Sequence, residues 1–253
     1  MTSVNLGFFD TPIHEATAAA IIRVFEAHGI NNIELITGDY ADLFSALKQG
    51  EIDVFASVWL PDVHTTWSSA LSAMKLIGNL YQPSLFWSVP TAVANQIQSI
   101  DELANNTTIE RQIIVAESIF DFTKEVFDGY DLNRAGYHLH GAEDEEAIQS
   151  YQKAIDQEKP VIIPLFQPSI LDTKEKLCHL QDPKKLLKST QNACILIRSE
   201  ITHTLDSDLI DELEAMSLGN QVVQAMEEAM RTKDMDAHEA AEAWQRGKLI
   251  VRV

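Results

Sequence analysis

The sequence predicts an α/β fold built on mixed, mostly parallel sheets. Three observations carry this. Short β-prone segments alternate with amphipathic helical segments over residues 4–60, the same alternation resumes after residue 85, and residues 206–245 are helical throughout. A strand–helix–strand succession without hairpin turns implies parallel pairing, with helices covering the sheet.

Val4 to Phe9 is short, apolar and β-prone, and reads as a buried first strand. Thr11-Pro12 opens a helix from Ile13 to about His28, because proline is accommodated in the first helical turn and Glu15 suits its dipole. Gly29 closes that helix. Asn32 to Thr37 is a second strand, Tyr40 to Lys48 a helix ended by Gly50, and Asp53 to Val58 a third strand stopped by Trp59-Leu60-Pro61. Ligands of such sheets bind at the carboxyl ends of strands. Two places qualify: Phe9-Asp10-Thr11 and Trp59 to His64.

Further along, Leu85 to Val89 is extended, and Ser99 to Leu103 forms a capped helical turn. Gln112 to Ala116 is a strand leading into a helix from about Ile119 to Phe127. Ala142 to Asp156 is a helix with acidic residues at its N-terminal end, Val161 to Phe166 a strand, and Ala193 to Ile197 the last central strand. Asp206 to Met216, Asn220 to Met230 and Ala237 to Gln245 complete the chain as helices. Neither a low-complexity linker nor a short-period repeat interrupts it.

The chain has 253 residues, enough for one large domain or two lobes with separate cores. Nineteen basic and 38 acidic side chains give a formal net charge of −19, which repels phosphate backbones and anionic lipid surfaces. No stretch of about 18 apolar residues is present, so no transmembrane helix is expected. The N-terminus lacks a basic segment followed by an apolar one. The expectation is therefore a periplasmic or extracytoplasmic protein if a signal peptide was removed, and a cytoplasmic one if Met1 is the native start. Cys178 and Cys194 fall in no metal-binding spacing and read by default as buried hydrophobes.

Motifs for catalysis are missing: no GxSxG, P-loop, HExxH or helix-opening GxGxxG occurs. His138-Leu139-His140 with Glu143 and Asp144 is a usable metal spacing without a fixed third ligand. No catalytic residue, metal or cofactor is expected.

The segment Asp53 to His64 resembles a D-x-x-x-x-x-W-L-P-x-x-H stretch of the glycine betaine/proline betaine substrate-binding family of ABC transporters. Gly7-Phe8, Leu47 to Asp53, Ser99 to Leu103, Leu180 to Lys184 and Ala240 to Trp244 are similar to landmarks of that family in the same order. The resemblance implies a type II periplasmic-binding-protein-like fold of two lobes closing on a ligand. Lobe one would comprise residues 1–86 and 196–253 and lobe two residues 87–195, with crossings near Leu85 to Pro90 and Ala193 to Arg198. It further implies an aromatic cage for a quaternary ammonium, and a membrane permease as partner. Aromatic faces select a methylated ammonium, which has no N–H donor, at about 0.5–1 kcal/mol per exposed contact and about 2 when desolvated.

Carried onto this chain, the implied ligand-binding residues begin with Trp59 and His64 on the motif. Trp59 reads alternatively as a core residue capping the sheet, and His64 as a structural histidine. The family's G-W-x-P-H-W stretch corresponds to Leu165 to Ile170, which puts Phe166 at the first tryptophan and Ser169 at the histidine. At the first strand end stand Phe9 and Asp10, the latter facing a ligand or capping the helix. Phe120 lies where the family opens a helix with a glycine-rich turn, beside Glu117 and Asp121, and supplies a ring or core packing. Trp87 sits on an expected inter-lobe strand, and Trp67 reads as packing. The expected function is capture of a small zwitterionic or quaternary-ammonium, osmoprotectant-like solute. A cytoplasmic sensor of the same fold and an enzyme on that fold are the alternatives.

Overall fold

The computed structural model describes residues 3–61, 64, 72–172, 176–187 and 190–249. Trp67 lies outside them. Ten strands are present among the described residues: β1 (Val4–Phe9), β2 (Ile33–Gly38), β3 (Val54–Leu60), β4 (Met74–Tyr81), β5 (Ser84–Pro90), β6 (Gln112–Ala116), β7 (His138–Ala142), β8 (Ile163–Gln167), β9 (Leu177–His179) and β10 (Asn192–Arg198). The helices that matter below are α1 (Pro12–Ala27), α2 (Tyr40–Gln49), α3 (Phe120–Gly129), α4 (Asp144–Asp156), α5 (Ser207–Ala215), α6 (Asn220–Thr232) and α7 (Ala237–Gln245). The chain divides into two compact units, one of residues 1–83 with 191–253 and one of residues 84–190.

The first unit is a five-stranded sheet in the order β2-β1-β3-β10-β4. β1 runs parallel to β2 and β3, while β10 is antiparallel to both β3 and β4. α1 is set by Pro12 at its start and by Gly29 at its end, where φ is +80° and the Ile30 N–H reaches back to the Phe25 carbonyl. Its buried face, from Ala16 to Phe25, packs on the sheet and against α6 and α7. α2 contributes Leu43, Ala46 and Leu47 to a cluster with Phe9, Ile52, Phe55, Val58, Cys194 and Leu196.

Two irregularities shape the carboxyl end of this sheet. On β3, Val58 pairs with Cys194 but Phe55 with Leu196, so β3 carries one residue more than β10. Ser57 falls in this bulge with φ at +67°. The consequence is visible in packing: Phe55 and Val58, three apart, share the α2-side cluster, whereas a regular strand turns them to opposite faces. On β4, Tyr81 pairs with Ala193 but Ile77 with Ile195, an excess of two residues taken up at Gly78, where φ is +70°. Trp59, Ala193 and Tyr81 thereby stand abreast on three neighbouring strands.

The second unit holds a three-stranded antiparallel sheet, β8-β5-β9, and a parallel pair, β6-β7. α3 follows β6 and α4 follows β7, as the alternation in the sequence implies. α4 begins at Asp144, two residues later than the sequence reading, with Asp144, Glu145 and Glu146 in its first turn. β4, β7 and β9 have no counterpart among the strands read from the sequence: β4 breaks alternation at Gly78, β7 ends on the Gly141-Ala142 that the sequence reading gives in part to the next helix, and β9 has three residues. Among the described residues no helix is long and apolar enough to cross a membrane.

A Cβ at residue 78 would lie 2.9 Å from the Leu213 carbonyl oxygen. Gly78→Ala is expected to destabilise the protein by about 1–3 kcal/mol through this clash and the left-handed backbone. Urea unfolding checks it: the midpoint falls with m unchanged, and a wild-type midpoint contradicts the account.

Candidate functional site

The carboxyl ends of β2, β1 and β3 lie side by side and deliver aromatic residues to one place. β1 ends on Phe9, β2 is followed by Asp39 and Tyr40, and β3 ends with Trp59, with His64 a few residues on. α1 adds His14 from its first turn. Four of these rings close a circuit: Phe9 to His14 at 5.0 Å between centroids, His14 to Trp59 at 5.0 Å, Trp59 to His64 at 6.3 Å, and His64 to Phe9 at 4.9 Å. Tyr40 stacks on Phe9 at 6.3 Å and 9° and lies 5.8 Å from His64. Separations this short mean that the rings fill the space among themselves. Tyr40 is 38% exposed, whereas Trp59 and Phe9 are each 8% exposed.

Hydrogen bonds fix the Trp59 ring. Its Nε1–H is shared between the Tyr81 hydroxyl at 3.0 Å and Ser57 Oγ at 3.3 Å, and Ser57 and Tyr81 bond each other through their hydroxyls. Residues paired across strands point to one face, so the indole reaches Tyr81 over Ala193, whose methyl leaves the room. The bulge at Ser57 puts its hydroxyl into this network. Burial pushes the Tyr81 phenol up to about 12, against bonds to Ser57, Trp59 and Thr17, and the Glu227 carboxylate raises it further. The sequence reading missed Tyr81, Ser57, His14 and Tyr40. Tyr40 alone had a signal, as the first residue of a helix following a predicted strand.

Both histidines are neutral. His64 Nδ1 accepts the Trp59 backbone N–H at 2.7 Å, and the His64 backbone N–H donates to the Trp59 carbonyl at 3.0 Å. This assigns the proton to Nε2. Burial pulls His64 down to about 3, with the neighbouring His14 adding to the effect. His14 Nδ1 pairs with Thr11 Oγ1 at 2.8 Å. Its Nε2 has no hydrogen bond of good geometry, and burial takes the imidazole to about 3, offset in part by the Ser57 carbonyl.

The remaining expected residues fall as follows. Asp10 is exposed, and the cap position of α1 is Thr11, whose side chain makes no capping bond. Phe166, Ser169, Phe120 and Trp87 belong to the second unit. Phe166 is buried and meets Phe122 edge-on at 6.4 Å. Ser169 Oγ accepts the Leu171 N–H at 3.3 Å, holding its own turn. Phe120 is half-buried with its ring against Gly141, where a Cβ would lie 3.4 Å away. Trp87 is 0% exposed in the middle of β5, opposite Pro164. Glu117 and Asp121 are exposed, and the Ser118 N–H at this helix start donates to Asp144 of α4 at 3.1 Å. Both cysteines are free, Cys194 in the core and Cys178 half-buried. Among the described residues no three His, Cys, Asp or Glu side chains gather to hold a metal ion.

Residues 2–246 match the family model for the substrate-binding domain of the ABC-type glycine betaine transport system. No curated protein matches the chain. Among solved structures, lactococcal OpuAC in a closed conformation with glycine betaine is 20% identical, with a TM-score of 0.84 over 98% of this chain and 96% of that one. The glycine betaine/L-proline-binding protein ProX from Borrelia burgdorferi is 19% identical, with a TM-score of 0.79 over 96% and 92%. An ABC-transporter choline-binding protein in complex with choline is 14% identical, with a TM-score of 0.78 over 97% and 88%. The fold is accordingly the α/β fold of type II periplasmic binding proteins.

The buried histidines predict acid sensitivity. Below about pH 6.5 the unfolded chain binds protons that folded His14 and His64 refuse until about pH 3, so stability is lost as pH falls through this window. From pH 6.5 to 5 the loss is about 1–2 kcal/mol for each histidine. Denaturant unfolding across these pH values checks it: His64→Gln, which retains an acceptor for the Trp59 N–H, flattens the slope, and an unchanged slope contradicts it.

Proposed function

The chain belongs to the substrate-binding domains of ABC-type glycine betaine transport systems, and from that premise we propose that it captures a small betaine-like solute at the ring group of its first unit. The observation that carries the reading is the delivery of Phe9, Tyr40 and Trp59 to one place by three adjacent parallel strand ends. A trimethylammonium group offers no hydrogen-bond donor and a positive charge spread over methyls, which suits ring faces. The two neutral imidazoles extend the aromatic surface without opposing charge.

The ring roles differ. Trp59 is held by its indole bonds and by packing, and it sets the position of His64 through the backbone bond. Tyr40, on the exposed side of the stack, is the ring that meets the solute first. Binding without chemical conversion, and delivery to a membrane permease, complete the reading. Lactococcal OpuAC, solved in complex with glycine betaine, and ProX, named for glycine betaine and L-proline, support the choice of solute class.

Thermal shift and calorimetry with glycine betaine and choline test it. A betaine-like ligand raises the melting temperature of the wild type, because it binds the folded state alone. Tyr40→Ala weakens binding at least tenfold, about 1.4 kcal/mol, and leaves the ligand-free melting temperature nearly unchanged. Trp59→Ala instead destabilises the ligand-free protein by about 3–5 kcal/mol. Wild-type affinity in Tyr40→Ala would refute the assignment of the ring group.

A further inference from the structure

A strand at the edge of a sheet presents a row of backbone groups with no neighbouring strand to bond, and proteins blunt such edges with charges, proline, bulges or short strands. Among the described residues the sheet of the first unit has two edges, β2 and β4, and they are built differently. β4 carries Lys75, and it is interrupted at Gly78, where the register shifts and φ is +70°. β2 has the sequence Ile33-Glu34-Leu35-Ile36-Thr37-Gly38 and pairs with β1 over its whole length without a shift. It holds no proline, and Glu34 is its only charge. Leu35 on this edge is 55% exposed, more than Leu76 of β4 at 49%.

The pairing with β1 fixes which groups of β2 face outward. The Val4 N–H donates to the Asn32 carbonyl at 3.0 Å, and the Asp10 N–H to the Gly38 carbonyl at 3.4 Å. Bonding residues alternate along a strand, so Asn32, Glu34, Ile36 and Gly38 turn their backbone groups to β1. Ile33, Leu35 and Thr37 turn theirs away from the sheet. This outward row is centred on Leu35 and is complementary to itself. In an antiparallel pairing with a second copy, Leu35 stands opposite Leu35, and Ile33 opposite Thr37 on either side. Each of these three pairs exchanges two N–H···O bonds about a two-fold axis at Leu35.

The side chains agree with this register. Ile33, Leu35 and Thr37 share one face of the strand, and Glu34 and Ile36 the other, where Ile36 packs on the α2 cluster. On the first face the two exposed Leu35 side chains cover each other. On the second, Glu34 stands opposite Ile36 of the other copy, so no like charges oppose each other. Sliding the strands until Ile33 meets Leu35 sets Glu34 against Glu34 and moves Thr37 beyond the end of its partner strand, which selects the Leu35-centred register.

We propose that β2 is a dimerisation edge, through which two copies of this chain pair antiparallel over Ile33 to Thr37 and join their five-stranded sheets into one. The inference does not depend on which solute the ring group binds. The net charge of −19 on each chain opposes the association, so the pairing tightens as salt screens that repulsion.

Sedimentation velocity of the full chain, over a concentration series at low and at high salt, is the test. The wild type is expected to show a monomer–dimer equilibrium whose dimer fraction rises with salt. Leu35→Lys, at an exposed position, sets two ammonium groups against each other on the axis and weakens the dimer about tenfold or more. Leu76→Lys, at the other edge, leaves the dimer as it is in the wild type. Leu35→Cys cross-links the two copies on mild oxidation, because bonded antiparallel partners lie about 5.5 Å apart between Cα atoms, within disulfide reach. A monomer at every concentration and salt overturns the proposal. A dimer that Leu35→Lys leaves intact, that Leu76→Lys weakens as much, or that Leu35→Cys fails to cross-link overturns its assignment to β2.

Discussion

The indole N–H of Trp59 meets the hydroxyls of Tyr81 and Ser57 over the methyl of Ala193, and the arrangement of the site follows from that meeting. The three hydrogen-bonding groups come from β3 and β4, which are separated by β10. They converge because β3 carries one extra residue at Ser57 and β4 two at Gly78. A left-handed Ser57 is unfavourable by about 1–3 kcal/mol, and it persists because its buried hydroxyl is bonded to Tyr81. With the indole fixed, its flanking backbone fixes His64, and His64 supports Phe9.

The same network explains the electrostatics. Enclosure of His14 and His64 among rings removes the water that stabilises imidazolium, so both remain neutral well below their ordinary range. The proposed site for a methylated ammonium needs this, since a protonated histidine would repel that group. The negative side chains sit outside the rings, at exposed Asp10 and at Asp39 and Asp42 of the α2 start, where water limits the unfavourable interaction among them.

Much of the fold was legible. The helices α1, α2, α6 and α7 carried caps, stops and apolar spacing in the sequence, and β1, β3, β6 and β10 were apolar runs between turn residues. Gly78 hid β4, because a glycine in a left-handed conformation breaks the alternation that marks a strand. The site was half legible. Trp59, His64 and Phe9 stood out as strand-end residues and as motif positions, and the structure brings those three together. Tyr81 could not be seen, since its place beside Trp59 depends on two register shifts that no local pattern encodes. The role of Ser57 was hidden for the same reason. Trp59, which the sequence leaves as either ligand ring or core residue, is a buried ring hydrogen-bonded to Tyr81 and Ser57, and Tyr40 stands against Phe9 and His64.

The central claim is that a methylated ammonium rests on the ring group at the carboxyl ends of β2, β1 and β3. Tetramethylammonium, which carries the head group and nothing else, tests it most directly. A crystal structure of the protein soaked with this ion is predicted to show it against the Tyr40 face, with Phe9 and Trp59 in the positions described and both imidazoles in place. An ion bound elsewhere, with the Tyr40 face unoccupied, would contradict the account.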